Sequence, residues 1–208
     1  MHKTGTFIVF EGIEGSGKST HSSYLVKKLK LLKVPCVYLR EPGGSKEAER
    51  IRNFLLKNSN KKFDSLTDTL LYLAARNENF LNKIRPFYKK KVIICDRFID
   101  STIAYQHYGL GVKKKIINLI NREIMGTTKV DYTFLMYLNV DKSISRISDR
   151  KKLNRYDKFK KSFYKKVQNG FLKISNKNKL KYMVIDSTKK FETNQTIIFN
   201  QVKKLINK

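Results

Sequence analysis

Gly12-Ile13-Glu14-Gly15-Ser16-Gly17-Lys18-Ser19 fits the pattern GxxxxGK[ST], a glycine-rich turn that leaves a strand and opens a helix. Glycines reach backbone conformations closed to other residues, so successive N–H groups of the turn can point inward at phosphate oxygens. The positive end of the helix that starts near Lys18 adds to that field. In this pattern the lysine ammonium reaches the β and γ oxygens of a nucleoside triphosphate, and the Ser19 hydroxyl ligates Mg²⁺. The whole turn, from Gly12 through Ile13, Glu14, Gly15, Ser16, Gly17 and Lys18 to Ser19 and Thr20, is therefore the expected site of the donor nucleotide.

Outward from the loop, short apolar runs alternate with helical patterns. Residues 6–10, 35–39, 92–95, 132–138 and 181–185 read as buried strands, rich in β-branched or aromatic side chains. Helical periodicity covers 19–32, 48–56, 66–80, 114–125, 141–150, 157–174 and 193–206. In the first of these, Tyr24, Leu25, Leu29 and Leu32 are expected on one face, and in the second Ile51, Phe54 and Leu55. Continuous apolar strands between helices predict an α/β three-layer sandwich, a five-stranded parallel sheet flanked by helices. Ligands of such sheets bind at the carboxyl ends of the strands. The run Val92-Ile93-Ile94-Cys95-Asp96 brings an acid to such an end, so Asp96 is the expected second metal anchor beside Ser19.

The chain of 208 residues fits one domain, with no internal repeat and no long Pro/Gly linker. Its 45 Lys and Arg against 17 Asp and Glu leave a net charge of +28. Such a balance speeds capture of phosphorylated substrates. The lysines are scattered in short runs, however, and aromatic–basic interleaving is confined to 158–173, so no dedicated nucleic-acid surface is expected. Cys36 and Cys95 form no CxxC pair and read as buried free thiols. No secretory apolar stretch precedes the first strand, and no run approaches the ~18–20 residues of a membrane span. A soluble cytoplasmic protein without a membrane partner is expected.

Three arginines, Arg52, Arg76 and Arg97, fall near strand ends or on helices facing the same cleft, and the planar guanidinium suits phosphate. His2, His21 and His107 all read as surface residues, so no histidine offers itself as a base. A phosphomonoester acceptor, with its second pKa near ~6, is already anionic and needs positioning rather than deprotonation. A hydroxyl acceptor would need a base, and Glu11 or Glu41 would have to supply it. Tyr72 and Arg76 stand i and i+4 on one helical face, so both can reach one ligand.

At this point the chain resembles the thymidylate kinases, bacterial type, of the P-loop nucleoside monophosphate kinases. The resemblance rests on Phe10-Glu11-Gly12, Arg40-Glu41-Pro42-Gly43-Gly44, Leu70-Leu71-Tyr72-Leu73-Ala74-Ala75-Arg76, and Asp96-Arg97-Phe98 continuing through Asp100-Ser101-Thr102 to Ala104-Tyr105-Gln106. It implies transfer of the γ-phosphate of Mg-ATP to dTMP, giving dTDP and ADP in the supply of dTTP. It implies that Tyr72 stacks on thymine, that Arg76 meets the base or phosphate end, and that Arg97 holds the acceptor phosphate beside Arg52. Thr102 and Gln106 would meet the pyrimidine edge with Ser101 in the same set, and Tyr105 would pack under the deoxyribose. Glu11 and the Glu41–Pro42 turn would wall the sugar and phosphate, with Glu11 counted among the catalytic groups. Asp186 and Ser187 would lie against the adenine. The resemblance also implies a homodimer through sheet-flanking helices.

Phosphoryl transfer further needs a cation that closes over the moving phosphorus. Members of the family it resembles place that cation either in the phosphate loop or in a lid; this loop has Glu14 and no basic residue between its glycines, so the resemblance implies that a small helical lid, about 145–160, supplies it. Arg146, Arg150 and Arg155 fall there, Arg150 being preferred and Arg155 the nearest competitor. The family's usual Leu-Asp-Arg, Leu-Asp-Val and Pro-Asp are here Leu153-Asn154-Arg155, Leu138-Asn139-Val140 and Val130-Asp131. A deoxynucleoside kinase and a DNA-dependent ATPase are the competing readings.

Overall fold

Every residue of β1 (Phe7–Glu11) is buried, as expected of a strand covered on both faces. A computed structural model of the chain, describing residues 5–57, 63–149, 157 and 159–207, places β1 at the centre of a five-stranded sheet. Around it lie β2 (Cys36–Arg40), β3 (Val92–Asp96), β4 (Tyr132–Tyr137) and β5 (Tyr182–Asp186). The order is β2-β3-β1-β4-β5, and every pairing is parallel. From β1 the chain crosses to the edge at β2, returns inward to β3 beside β1, and then passes to β4 and β5 on the other side, so the direction of travel changes beside β1. That is where an open α/β sheet leaves a crevice at its carboxyl edge.

The helices are α1 (Lys18–Leu31), α2 (Lys46–Lys57), α3 (Ser65–Asn79), α4 (Ile99–Thr102), α5 (Lys114–Met125), α6 (Val140–Ser148), α7 (Lys161–Asn176) and α8 (Phe191–Ile206). Alternation along β1 sends Ile8 and Phe10 toward Leu25 and Leu29 of α1 and Ile198 and Val202 of α8. Phe7 and Val9 point the other way, toward Ile93, Cys95, Phe98 and Met125. A further cluster puts Tyr105, Phe163, Tyr164 and Phe171 beneath Ile13 of the phosphate loop. The aromatics of 158–173 are thus largely spent on the core. Phe163 and Tyr164 are buried, which removes them from any stacking surface for single-stranded nucleic acid. No helix of the described residues is long and apolar enough to cross a membrane.

Several expectations shift in detail. The buried face of α1 is Ser22, Leu25, Val26 and Leu29, whereas Tyr24 and Leu32 are exposed. On α2 Leu55 is buried and Phe54 is half exposed. Cys36 is only half-buried, although both cysteines are free. His21 is not a surface residue: it is buried, stacked on Phe191 at 4.8 Å between ring centroids, and its Nδ1 accepts from Gln195 Nε2 at 2.7 Å. Asn139, where the resemblance leads one to expect Asp, caps α6 by accepting from Asp141 N at 2.8 Å. Its amide oxygen does the capping a carboxylate would do. The segment after β3, not expected as helix, forms α4 and runs into a π-helical turn at Ile103–Gly109.

Candidate active site

The phosphate loop is set by sterics before chemistry. Gly12 has φ 140° and lies so close to the Met136 carbonyl that a Cβ would collide with it. Gly17, at φ 84°, is the left-handed cap from which α1 starts. Lys18 is buried, and its Nζ donates to Ile13 O at 2.7 Å and Ser16 Oγ at 3.3 Å. Burial, aided by the charge of Arg97, pushes its pKa down to about 7 against the pull of Asp96, Glu14 and Glu11. The ammonium therefore rests on the loop's own acceptors. Ser19 Oγ donates to Asp96 Oδ2, so a hydroxyl and a carboxylate from two elements converge at the loop. Two hard oxygens with space for water and phosphate suit Mg²⁺, which rarely takes an all-protein cage. Thr20, Gly15 and Arg146 complete the lining of the cleft at this loop.

Beyond Arg97 opens a second, smaller cleft. Of the residues expected around the acceptor, all but Glu11 line it: Glu41, Pro42, Arg52, Tyr72, Arg76 and Arg97 on one stretch, and Ser101, Thr102, Tyr105 and Gln106 on the other. Arg97 sits where the two clefts meet. It has φ 67°, left-handed for a residue with a Cβ, a conformation that costs on the order of 1–3 kcal/mol and needs support from its surroundings. Its Nη1 donates to Gly12 O at 2.9 Å and Ser101 Oγ at 3.1 Å, and its Nη2 donates to Glu14 Oε1 at 3.0 Å. Its guanidinium also lies 5.1 Å over the Tyr105 ring. Burial alone would lower its pKa, but Tyr105, Glu14, Asp96 and Glu11 raise it overall, so the cation is permanent. Arg52 Nη1 donates to Pro42 O at 2.5 Å.

Arg76 is placed differently from its expected role. Its Nε donates to Glu41 Oε2 at 2.7 Å, Nη1 to Asn121 Oδ1 at 2.8 Å and Nη2 to Thr102 Oγ1 at 2.9 Å. It borders the cleft, yet each of its nitrogens already ties neighbouring elements together. Glu11 departs further. It lines neither cleft, and its carboxylate turns to the start of α4, where Oε1 accepts from Phe98 N at 2.8 Å and Ser101 N at 3.1 Å, and Oε2 accepts from Ser101 Oγ at 2.5 Å. Its place among the catalytic groups is therefore corrected: it holds the segment that carries Arg97. Burial, with the nearby Asp100 charge, raises its pKa to about 7.

Asp186 and Ser187, expected against the adenine, line neither cleft and form a rim after β5: Ser187 N donates to Tyr137 O at 2.8 Å, and Asp186 Oδ1 accepts from Thr188 N at 2.9 Å. Arg146 joins this rim to the loop, donating from Nη1 to Gly15 O at 3.0 Å and from Nη2 to Ser187 O at 3.2 Å. Arg150 and Arg155 lie outside the described residues. Two roles escaped the sequence reading. Glu14 faces both clefts, its Oε2 accepting from the Tyr105 hydroxyl; an acid inside the loop was its visible signal. Asn121, the partner of Arg76, left no signal at all.

Comparison with known proteins places this arrangement. The sequence model described as thymidylate kinase matches residues 10–198. The thymidylate kinase of Aster yellows witches'-broom phytoplasma (strain AYWB) is 41% identical over 203 residues, covering 96% of this chain and 97% of the relative. That of Sulfurihydrogenibium sp. (strain YO3AOP1) is 36% identical over 200 residues, covering 96% and 97%. The crystal structure of thymidylate kinase from Ehrlichia chaffeensis superposes with a TM-score of 0.77 at 34% identity, covering 96% of this chain and 99% of that one. Fold, loop and sequence agree, and the chain belongs to the thymidylate kinase family.

Proposed function

We propose that the two clefts bind ATP and dTMP end to end and pass the γ-phosphoryl group between them across Arg97, giving ADP and dTDP. The observation that carries this reading is the junction itself: Glu14, Glu41, Arg52 and Arg97 border both clefts. A phosphate in each would share the same cations. Lys18 would leave its loop contacts for the β and γ oxygens, and Arg97 with Arg52 would fix the dTMP phosphate as the nucleophile. That phosphate is largely dianionic at neutral pH, so the site needs no base. This agrees with a Glu11 carboxylate turned away from the clefts. Ser19 and Asp96 would hold Mg²⁺, which when bound neutralises charge on the phosphate oxygens. Tyr72 would stack on the base, and Tyr105, its hydroxyl engaged by Glu14, would bar a 2′-hydroxyl. The protein would act as a cytoplasmic homodimer; half-exposed Phe54, Leu66 and Leu70 on α2 and α3 offer apolar surface for pairing.

ADP release with dTMP, dUMP, UMP and thymidine under identical conditions tests the reading. Fastest turnover of dTMP and none of thymidine is expected. Turnover of thymidine but not dTMP would replace it with a nucleoside kinase, and ATP hydrolysis stimulated by DNA alone would replace it with a DNA-dependent ATPase.

A further inference from the structure

We infer that Glu11 is a positioning residue for Arg97, that it acts through the Ser101 hydroxyl, and that gain of a proton by its carboxyl reverses that hydroxyl bond and loosens the arginine. The inference rests on the acceptor-phosphate role of Arg97 proposed above.

The hydrogen bonds run in one direction. Arg97 Nη1 donates to Ser101 Oγ, and Ser101 Oγ donates to Glu11 Oε2. The hydroxyl can donate to only one partner, so its hydrogen lies on the carboxylate and its lone pair faces the guanidinium. A charge-assisted bond at one end of such a chain strengthens the bond at the other. The remaining carboxylate oxygen takes the backbone N–H groups of Phe98 and Ser101. Phe98 follows Arg97 directly, so Glu11 grips the left-handed residue from both its backbone side and its side-chain end.

A proton arriving from solvent on Glu11 Oε2 changes the polarity. The carboxyl O–H then donates to Ser101 Oγ, and the serine hydrogen must leave that axis for another acceptor. Arg97 is left facing an oxygen that already accepts one bond and no longer borrows charge from a carboxylate. The titratable groups around Glu11 are Asp100 and Arg97 from the segment after β3, Cys95 of β3, Lys18 of α1 and Tyr182 of β5. Asp100, whose Oδ2 accepts from the Tyr182 hydroxyl at 2.6 Å, adds a second buried carboxyl. Arg76 and Lys114 act on that carboxyl in turn. Burial and the Asp100 charge together put the Glu11 proton on and off at about 7.

Glu11→Gln reproduces the protonated form, since its amide oxygen serves the two backbone N–H groups and its NH₂ donates to Ser101. The ratio of wild-type to E11Q kcat/KM for dTMP cancels the titration of the substrate, and saturating Mg-ATP keeps Lys18 charged in both proteins. It is expected to climb from near 1 at pH 5.5 to about tenfold at pH 8.5, with wild-type and E11Q melting temperatures showing that both fold. Ser101→Ala removes the relay and is expected to give the same curve, with E11Q adding nothing in the S101A background. A ratio independent of pH, or additive effects of the two substitutions, overturns the relay. Should the wild type not turn over dTMP, the functional reading fails by itself. The relay is then read from the Phe98 and Ser101 amide proton shifts, which are expected to titrate together at about 7 in the wild type and stay flat in E11Q; flat wild-type shifts would also overturn it.

Discussion

Lys18 meets its ligand with a weakened charge. In the free protein burial and Arg97 hold its pKa at about 7, below the ordinary lysine value. A bound triphosphate supplies several negative charges within reach and restores the higher value. The sign follows directly: at pH 8 the free side chain is mostly neutral, so nucleotide binding takes up close to one proton, whereas at pH 6 it takes up almost none. Calorimetry in buffers of differing ionisation enthalpy reads this, and equal uptake at both values would contradict it. Lys18 and Ser19 were legible beside the loop because its pattern fixes their neighbours, and Asp96 because it ends an apolar strand run. Glu11 was not: a carboxylate at a strand end reads the same whether it faces the cleft or the helix that follows β3. His21 failed for a related reason, since its burial comes from Phe191 and Gln195, about 170 residues away in sequence.

Arg76 acts at the scale of elements. From α3 it reaches Glu41 after β2, Thr102 of α4 and Asn121 of α5, and the Arg76–Glu41 pair is almost wholly buried. Breaking a buried pair leaves the other charge without compensation, at a cost of roughly 3–5 kcal/mol. Arg76→Leu is therefore expected to lower unfolding free energy by about that much, and Arg76→Leu with Glu41→Gln by less than the sum. Urea denaturation checks this, and an unchanged midpoint would make Arg76 a ligand contact only. The strands were legible within a residue or so because β-branched runs and helical periods differ strongly. The π-helical turn was not, because its geometry comes from packing. There Gly109 and Gly170 let the backbones of the turn and α7 approach: a Cβ on Gly170 would sit 2.6 Å from Tyr108, and one on Gly109 2.5 Å from Phe163.

The charge of +28 belongs to the whole molecule. It draws anions inward at long range, and it makes two copies repel. Salt screens both effects, so raising it should slow nucleotide capture while tightening self-association. Sedimentation and stopped-flow binding at about 50 and 300 mM salt would show this, and a dimer weakened by salt would point to pairing through ionic contacts. That a charge this large attends a phosphate site was visible in the composition; which face the apolar side chains of α2 and α3 leave open was not, since it depends on how the helices dock.

Sheet order also bears on the order of folding. The phosphate loop precedes in the chain the elements that wall it: β4 lies beside β1, and His21 beside Gly17 is stacked on Phe191 of α8. The loop is thus supported by segments about 170 residues apart, and its wall is complete only once α8 has docked.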